Sequence, residues 1–274
     1  MTRAYASLAL VAALSVATPH DAVAICGRGP DVGVLPTLAM LGPSNTHVWI
    51  RLPAGWETRG ICASRADCPG GAFELSLRRA PVAGRPPLAI PVTTAHSRAG
   101  AFATEELVPA APLEEGTYEV WCVDRRNAAR GRIVAVFRVG GEDDRTAPLW
   151  PGVKSAWYVR PPASRGGVIM LPGECGDPLV VLDVARAHDE GTRDEGIRYA
   201  VWKAAPGAAI DYRAPPLLFA AAELEGASGA RIALGNTDSG DSDFTGDGGR
   251  PMKLGVRAVD LAGNASVPSE IVVR

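Results

Sequence analysis

Short runs of alternating apolar and polar residues recur along most of this chain, and windows with a helical period are almost absent. In "THVWIRL" (46–52), Val48, Ile50 and Leu52 fall on one side. "AFELSLRRA" (72–80) repeats the period with Phe73, Leu75 and Leu77, and "PLEEGTYEVWCVD" (112–124) with Tyr118, Val120 and Cys122. A period of two sends alternate side chains to opposite faces of a pleated strand, so each run predicts a half-buried strand. "PLAIPVTTA", "AFATEEL" and "RIVAVFRVG" bring the named runs before residue 140 to six. The pattern restarts after residue 152 with "SAWYVRP", "PLVVLDVARA" (Val180, Leu182 and Val184 inward) and "GIRYAVWKA" (Ile197, Tyr199 and Val201 inward). "PLLFAAAEL", "MKLGVRAVDLAGNAS" (Leu254, Val256 and Ala258 inward) and "SEIVVR" follow. The 31 glycines and 23 prolines punctuate these runs without a period of their own. Many short strands between such turns predict antiparallel sandwiches.

Between the two series lies "GGEDDRTAPLWPG" (140–152), charged and then rich in Pro and Gly. That composition break predicts an interdomain linker. The expected organisation is a first sandwich over 25–141, a linker over 142–152 and a second sandwich over 153–274. A hydrophobic content of 47% is enough for two cores. Residues 1–24 stand apart. Arg3, an apolar run from about Tyr5 to Ala17, and "AVA" at 22–24 form the pattern of a secretory signal cut after Ala24. The run is shorter than the ~20 residues a spanning helix needs, so no membrane span is expected in the mature chain. With a net charge of −2 and no basic patch, nucleic acid is not an expected partner.

Two segments carry a resemblance. "LEEGTYEVWCVD" resembles the E–F corner and strand F of bacterial immunoglobulin-like and fibronectin type III-like domains, with Tyr118 in the place of their corner tyrosine. "GVRAVDLAGNAS" is similar to strand F and the F–G turn of the same superfamily, and "RTAP" and "DEGIRYAVW" fit its domain start and its approach to strand C. In the second copy Lys253 and Leu254 stand about where the corner tyrosine would be. The resemblance implies an all-β protein: two tandem antiparallel immunoglobulin-like β-sandwiches after a cleaved signal peptide. It implies little about activity, because this sandwich serves adhesins, receptors, carbohydrate binders and enzyme spacers alike.

Export makes disulfides the default state of cysteine. Cys26, Cys62, Cys68, Cys122 and Cys175 all follow the predicted cut. The first four can pair in three ways. A local Cys62–Cys68 loop bridge is favoured, with Cys26–Cys122 then tying the new N-terminus to a core strand; Cys175 is left over. No CxxC pair or His/Cys cluster suggests zinc.

The candidate chemistry concentrates in "GNTDSGDSDFTGDGGRP" (235–251), between two predicted strands. From Asp241, the oxygens of Asp241, Asp243, Thr245 and Asp247 fall at positions 1, 3, 5 and 7 of a calcium loop, with Gly246 at 6. Met252 occupies position 12, so this is not an EF-hand but at most a looser calcium site. The competing reading is a long polar turn, since Asp, Asn, Ser and Gly are what such turns are made of. A third reading joins "GDS" (240–242) to "TTAHS" (93–97) as fragments of a serine protease, with Ser242 and His96. Asp243 and Phe244 replace the expected glycines, and the two pieces fall in different sandwiches. "HDEGTRDEG" (188–196) is a second acidic loop whose Asp189, Glu190, Asp194 and Glu195 share one end of the second sandwich with Asp260. A solvated loop, with Asp260 capping its own turn, is the simpler expectation. Trp49, Trp121 and Trp202 fall off the main inward faces, and a place in a core or under the neighbouring sandwich is preferred to a sugar platform. Trp150 and Trp157 are expected to pack the interdomain contact. The function expected from the sequence is exported, non-catalytic binding, adhesion or scaffolding at the cell envelope. Its partner would be a protein or glycan and no cofactor is required, calcium being an option at the loop; the alternatives are a calcium-stabilised or carbohydrate-binding spacer module and a serine hydrolase.

Overall fold

The computed structural model describes residues 33–53, 73–82, 87–99, 102–125, 127–158, 180–225, 228–234 and 251–274. The strands are β1 (Gly33–Leu35), β2 (Leu41–Gly42), β3 (Val48–Pro53), β4 (Phe73–Arg79), β5 (Leu88–Ile90), β6 (Val92–Ala99), β7 (Phe102–Pro109), β8 (Gly116–Asp124) and β9 (Asn127–Val139). They continue as β10 (Val153–Tyr158), β11 (Val180–Ala185), β12 (Arg198–Ala204), β13 (Leu218–Ala220), β14 (Glu223–Glu225), β15 (Gly229–Leu234), β16 (Met252–Val259) and β17 (Ser269–Val273). One 3-10 turn, Asp194–Gly196, precedes β12.

These strands form four sheets, ordered β1-β3-β7-β6, β2-β9-β8-β4-β5, β10-β11-β15-β14 and β13-β12-β16-β17. All pairings are antiparallel except β2 with β9, which run parallel. The first two sheets share one core, built from Val48, Ile50 and Leu52 of β3, Leu77 of β4, Tyr118 and Val120 of β8, and Phe137 of β9. The last two share another, in which Val180, Leu182 and Val184 of β11 face Tyr199 and Val201 of β12 and Leu254, Val256 and Ala258 of β16. Each sandwich has the division of the immunoglobulin fold. Strands A-B-E-D form one sheet and C-F-G the other, here β10-β11-β15-β14 opposite β12-β16-β17, and β1-β3-β7-β6 opposite β4-β8-β9. The protein is an all-β chain of antiparallel immunoglobulin-like sandwiches.

The inward faces follow the alternation, because a one-residue slip would turn each apolar set toward water. Tyr118 occupies its corner: its hydroxyl donates to the Glu114 carbonyl at 2.8 Å and its ring stacks on Phe137. Burial raises its phenol above the ordinary range.

Three expectations change. "PLAIPVTTA" is not one strand. β5 pairs with β4, while β6 crosses to pair with β7 in the opposite sheet. Pro91 stands at the crossing, where its missing N–H interrupts any ladder. "PLLFAAAEL" divides likewise into β13 on β12 and β14 on β15, with Ala221 and Ala222 at the switch. Trp150 does not pack an interdomain contact. Its indole lies edge-on to Tyr199 against the second core and donates to the Ala185 carbonyl at 2.9 Å, while Trp157 remains partly exposed on β10.

Candidate functional site

The outer face of the β1-β3 edge of the first sandwich meets the outer face of β13-β12-β16 in the second. Leu35 and Trp49 close there on Ala200, Val259 and Leu261, with Met40, Trp202 and Phe219 at the margin. The Trp49 ring lies 5.7 Å from His47 and 6.1 Å from Phe219, and is only 3% exposed. Trp49 is thus covered by the neighbouring sandwich, whereas Trp202 lies beside the cluster under a cover from its own sandwich: the Tyr212 ring stands edge-on at 5.1 Å and the Ala214 carbonyl accepts the indole N–H at 2.8 Å. Trp121 has a different cover, the Arg78 guanidinium 4.7 Å from its ring centroid.

Polar contacts continue the junction. The His47 N–H donates to the Leu261 carbonyl at 2.6 Å, and the Thr46 hydroxyl donates to the same oxygen at 3.3 Å. The F–G turn of the second sandwich, Asp260–Asn264, lies against this strand entry. Gly263 has φ +83°, and a Cβ there would stand 2.3 Å from the His47 ring, so the close approach requires glycine. Asn45 braces the connecting segment: its side-chain amide donates to the Asp144 carbonyl at 2.7 Å, and its side-chain oxygen accepts from the Asp144 N–H at 2.9 Å.

Asp144 brings a carboxylate to this point, where Asp189 of the B–C loop and Asp260 of the F–G turn meet it. One oxygen of each lies within 4.8 Å of the others. Each is aimed by its own turn. Asp144 Oδ1 accepts from Thr146 N–H at 3.0 Å. Asp189 Oδ2 accepts from the N–H groups of Gly191 and Thr192 at 2.9 and 2.7 Å. Asp260 Oδ1 accepts from those of Ala262 and Asn264 at 2.8 and 2.9 Å, and its Oδ2 from the Asn264 side chain at 3.0 Å. Such Asx turns are why aspartate suits these positions. Thr192 ties the two loops by accepting the Leu261 N–H at 3.2 Å.

The turns leave the second oxygen of two residues bare. Asp144 Oδ2 and Asp189 Oδ1 are buried, and no N–H or hydroxyl group donates to either. Burial pushes the Asp260 carboxyl up to about 6, with the charges of Asp144 and Asp189 adding to it against the hydrogen bonds from Asn264. Asp189 is raised for the same leading reason, burial, and next by Asp144. Three inward carboxylates with only oxygen donors suit a hard cation such as calcium or magnesium, and neither a soft metal nor nucleophilic chemistry.

Of the residues singled out in the sequence, Asp189 and Asp260 do come together, but at a closed junction and not in a solvated loop. Asp194 instead pairs with Arg186 at 2.5 Å and His188 at 3.2 Å, and Glu190 and Glu195 are exposed. Asp144 was hidden in the composition break; its only signal was an acid just ahead of "TAP". His96 pairs across the strands with buried Glu105, Nδ1 to Oε1 2.6 Å. Cys122 is buried in the first core. Asp241, Ser242, Asp243, Thr245, Asp247, Cys26, Cys62, Cys68, Cys175 and the leader 1–24 lie outside the described residues. Among the described residues no helix is long and apolar enough to cross a membrane.

No protein-family profile matches the chain, and no curated protein does. Two solved structures align over most of their length. A chimeric titin Z1Z2 functionalised with an exogenous decorin peptide is 13% identical over 87% of this chain and 94% of its own, with a TM-score of 0.23. A chicken TCR is 7% identical over 88% and 98%, with a TM-score of 0.27. Likeness at this level assigns neither a family nor an activity; the strand order and the Tyr118 corner are what identify the fold.

Proposed function

We propose that this chain is an exported, non-catalytic module of two tandem sandwiches, 25–141 and 153–274, acting as a stiff binding or scaffolding element of the cell envelope. The observation that carries the reading is the closed junction. Interdomain contacts within one chain ordinarily permit relative motion unless they are extensive and apolar. Here a tryptophan is buried between the two sandwiches, a backbone hydrogen bond joins His47 to Leu261, and Asn45 holds the connecting backbone from both sides. Such a unit presents two sandwich surfaces to a protein or glycan partner in one fixed relation. The covered positions of Trp49 and Trp202 weigh against a sugar-stacking platform built from them. The predicted Cys62–Cys68 and Cys26–Cys122 bridges belong to this reading as further stiffening of an exported protein.

Small-angle X-ray scattering tests the reading. A single rigid arrangement should account for the whole curve of the wild-type protein, and Trp49→Ala should broaden the pair-distance distribution. A wild-type curve that requires an ensemble of interdomain orientations rejects the stiff module. Labelling of Ser242 by a fluorophosphonate probe would reject the non-catalytic part.

A further inference from the structure

We propose that Asp144, Asp189 and Asp260 bind one divalent cation, calcium, and that this cation locks the connecting segment to the second sandwich. The proposal rests on the junction described above and deepens its reading.

The cluster alone would not carry it. Asp144, however, is only 9% exposed, its Oδ2 is buried with no donor, and one of its carboxylate oxygens lies within 4.8 Å of one from each of the other two acids. No amide, hydroxyl or guanidinium group donates to it, and only a proton held by Asp189 could. Asp189 Oδ1 is bare in the same way. Buried acceptors without donors are rare because each forfeits its hydration with no return. Three carboxylates within 4.8 Å of one another add mutual repulsion at low dielectric. A cation removes both penalties at once. The neighbouring backbone is also shaped around the bare oxygen: a Cβ at Gly191 would stand 2.2 Å from Asp144 Oδ2.

The donors select the ion. All are carboxylate oxygens held on turns, with no sulfur or imidazole among them, which fits a hard cation. Ligands carried on three separate turns suit calcium's variable coordination better than the strict octahedron of magnesium. The site spans three separate chain segments, so occupancy couples the B–C loop, the F–G turn and the connecting segment. Through Asn45 it reaches the first sandwich. A proton shared between Asp144 and Asp189 is the competing means of neutralising the site.

The test is calorimetric titration of chelator-treated full-length exported protein with calcium chloride near neutral pH, alongside thermal melts in EDTA and in millimolar calcium. The expected result is a site lost in Asp144→Asn, with Asp241→Asn/Asp243→Asn retaining it. A second signature separates a ligand from a structural residue. Asp144→Asn should melt no lower than wild type in EDTA, because it removes repulsion, yet should lose the calcium-induced rise. No binding at 10 mM calcium, or binding that survives Asp144→Asn and Asp189→Asn but fails in the 241/243 variant, overturns the proposal. Scattering in EDTA keeps the two readings apart. A stiff protein that binds no calcium sinks only the cation site, whereas one that stays flexible with calcium bound sinks the stiff module.

Discussion

Replacing Trp49 tests how the two sandwiches are held. An indole buries roughly 150–250 Å², which at about 25 cal/mol/Å² is an upper figure near 4–6 kcal/mol. Against this stands Trp49 Nε1, which is buried and donates to nothing. An unsatisfied donor costs about 1–3 kcal/mol, so the net worth of the side chain is nearer ~3 kcal/mol, at the low end of the range for Trp→Ala in cores. Trp49→Phe should behave differently: it keeps a ring between His47 and Phe219 and discards the orphaned donor, for a loss under about 1.5 kcal/mol. In scanning calorimetry, Trp49→Ala should lower the midpoint by about 6–12 °C, at 2–4 °C per kcal/mol for a chain of this size. It should also split the endotherm, because the sandwiches then unfold separately. Equal effects of Ala and Phe, or no effect of either, would refute the account of a packed junction with an unsatisfied indole.

Two further outcomes follow from the chemistry. In EDTA, the carboxyl of Asp260 lies at about 6 in the folded state against 3.8 ordinarily. The native state therefore binds more protons in that window, and this contribution is most favourable below about pH 4 and is lost as pH rises through 6. At 1.36 kcal/mol per pH unit the loss is capped near ~3 kcal/mol; the stability difference between wild type and Asp260→Asn should shrink accordingly between pH 4 and 7, and a flat difference would contradict it. Tyr118→Phe removes the 2.8 Å bond to the Glu114 carbonyl but keeps the stack on Phe137. Urea unfolding should show a loss of about 1 kcal/mol, and a loss beyond ~3 kcal/mol would mean that the corner does more than bond.

Strand identity and inward faces were legible in the sequence because one buried face imposes a period of two, as Val180, Leu182 and Val184 illustrate. The sheet changes at Pro91 and at Ala221–Ala222 were not, because a strand's local pattern says nothing about which sheet receives it. The aspartate site was half legible. Asp189 and Asp260 stood out as acids at one end of a sandwich, but the outward reading was the better prior for charged loops. Asp144 could be recruited only once the fold carried the connecting segment back over that end, a long-range contact with no local trace. The tryptophans at 49 and 202 showed their exclusion from the cores by alternation; the junction explains what covers Trp49, and the Tyr212 ring what covers Trp202.

The bracing of Asp144 by Asn45 has a mechanical consequence. The stretch from Gly140 to Gly152, drawn straight, would reach about 45 Å. It is pinned instead at Asp144 from both backbone polar groups, and again at Leu149, whose N–H and carbonyl pair with His188 at 2.9 and 3.1 Å. Tension along the chain therefore meets an anchor on each side, Asn45 at Asp144 and His188 at Leu149. These rungs must break before the connection lengthens, so a pull applied at one end arrives at the other as displacement and is not absorbed as stretch.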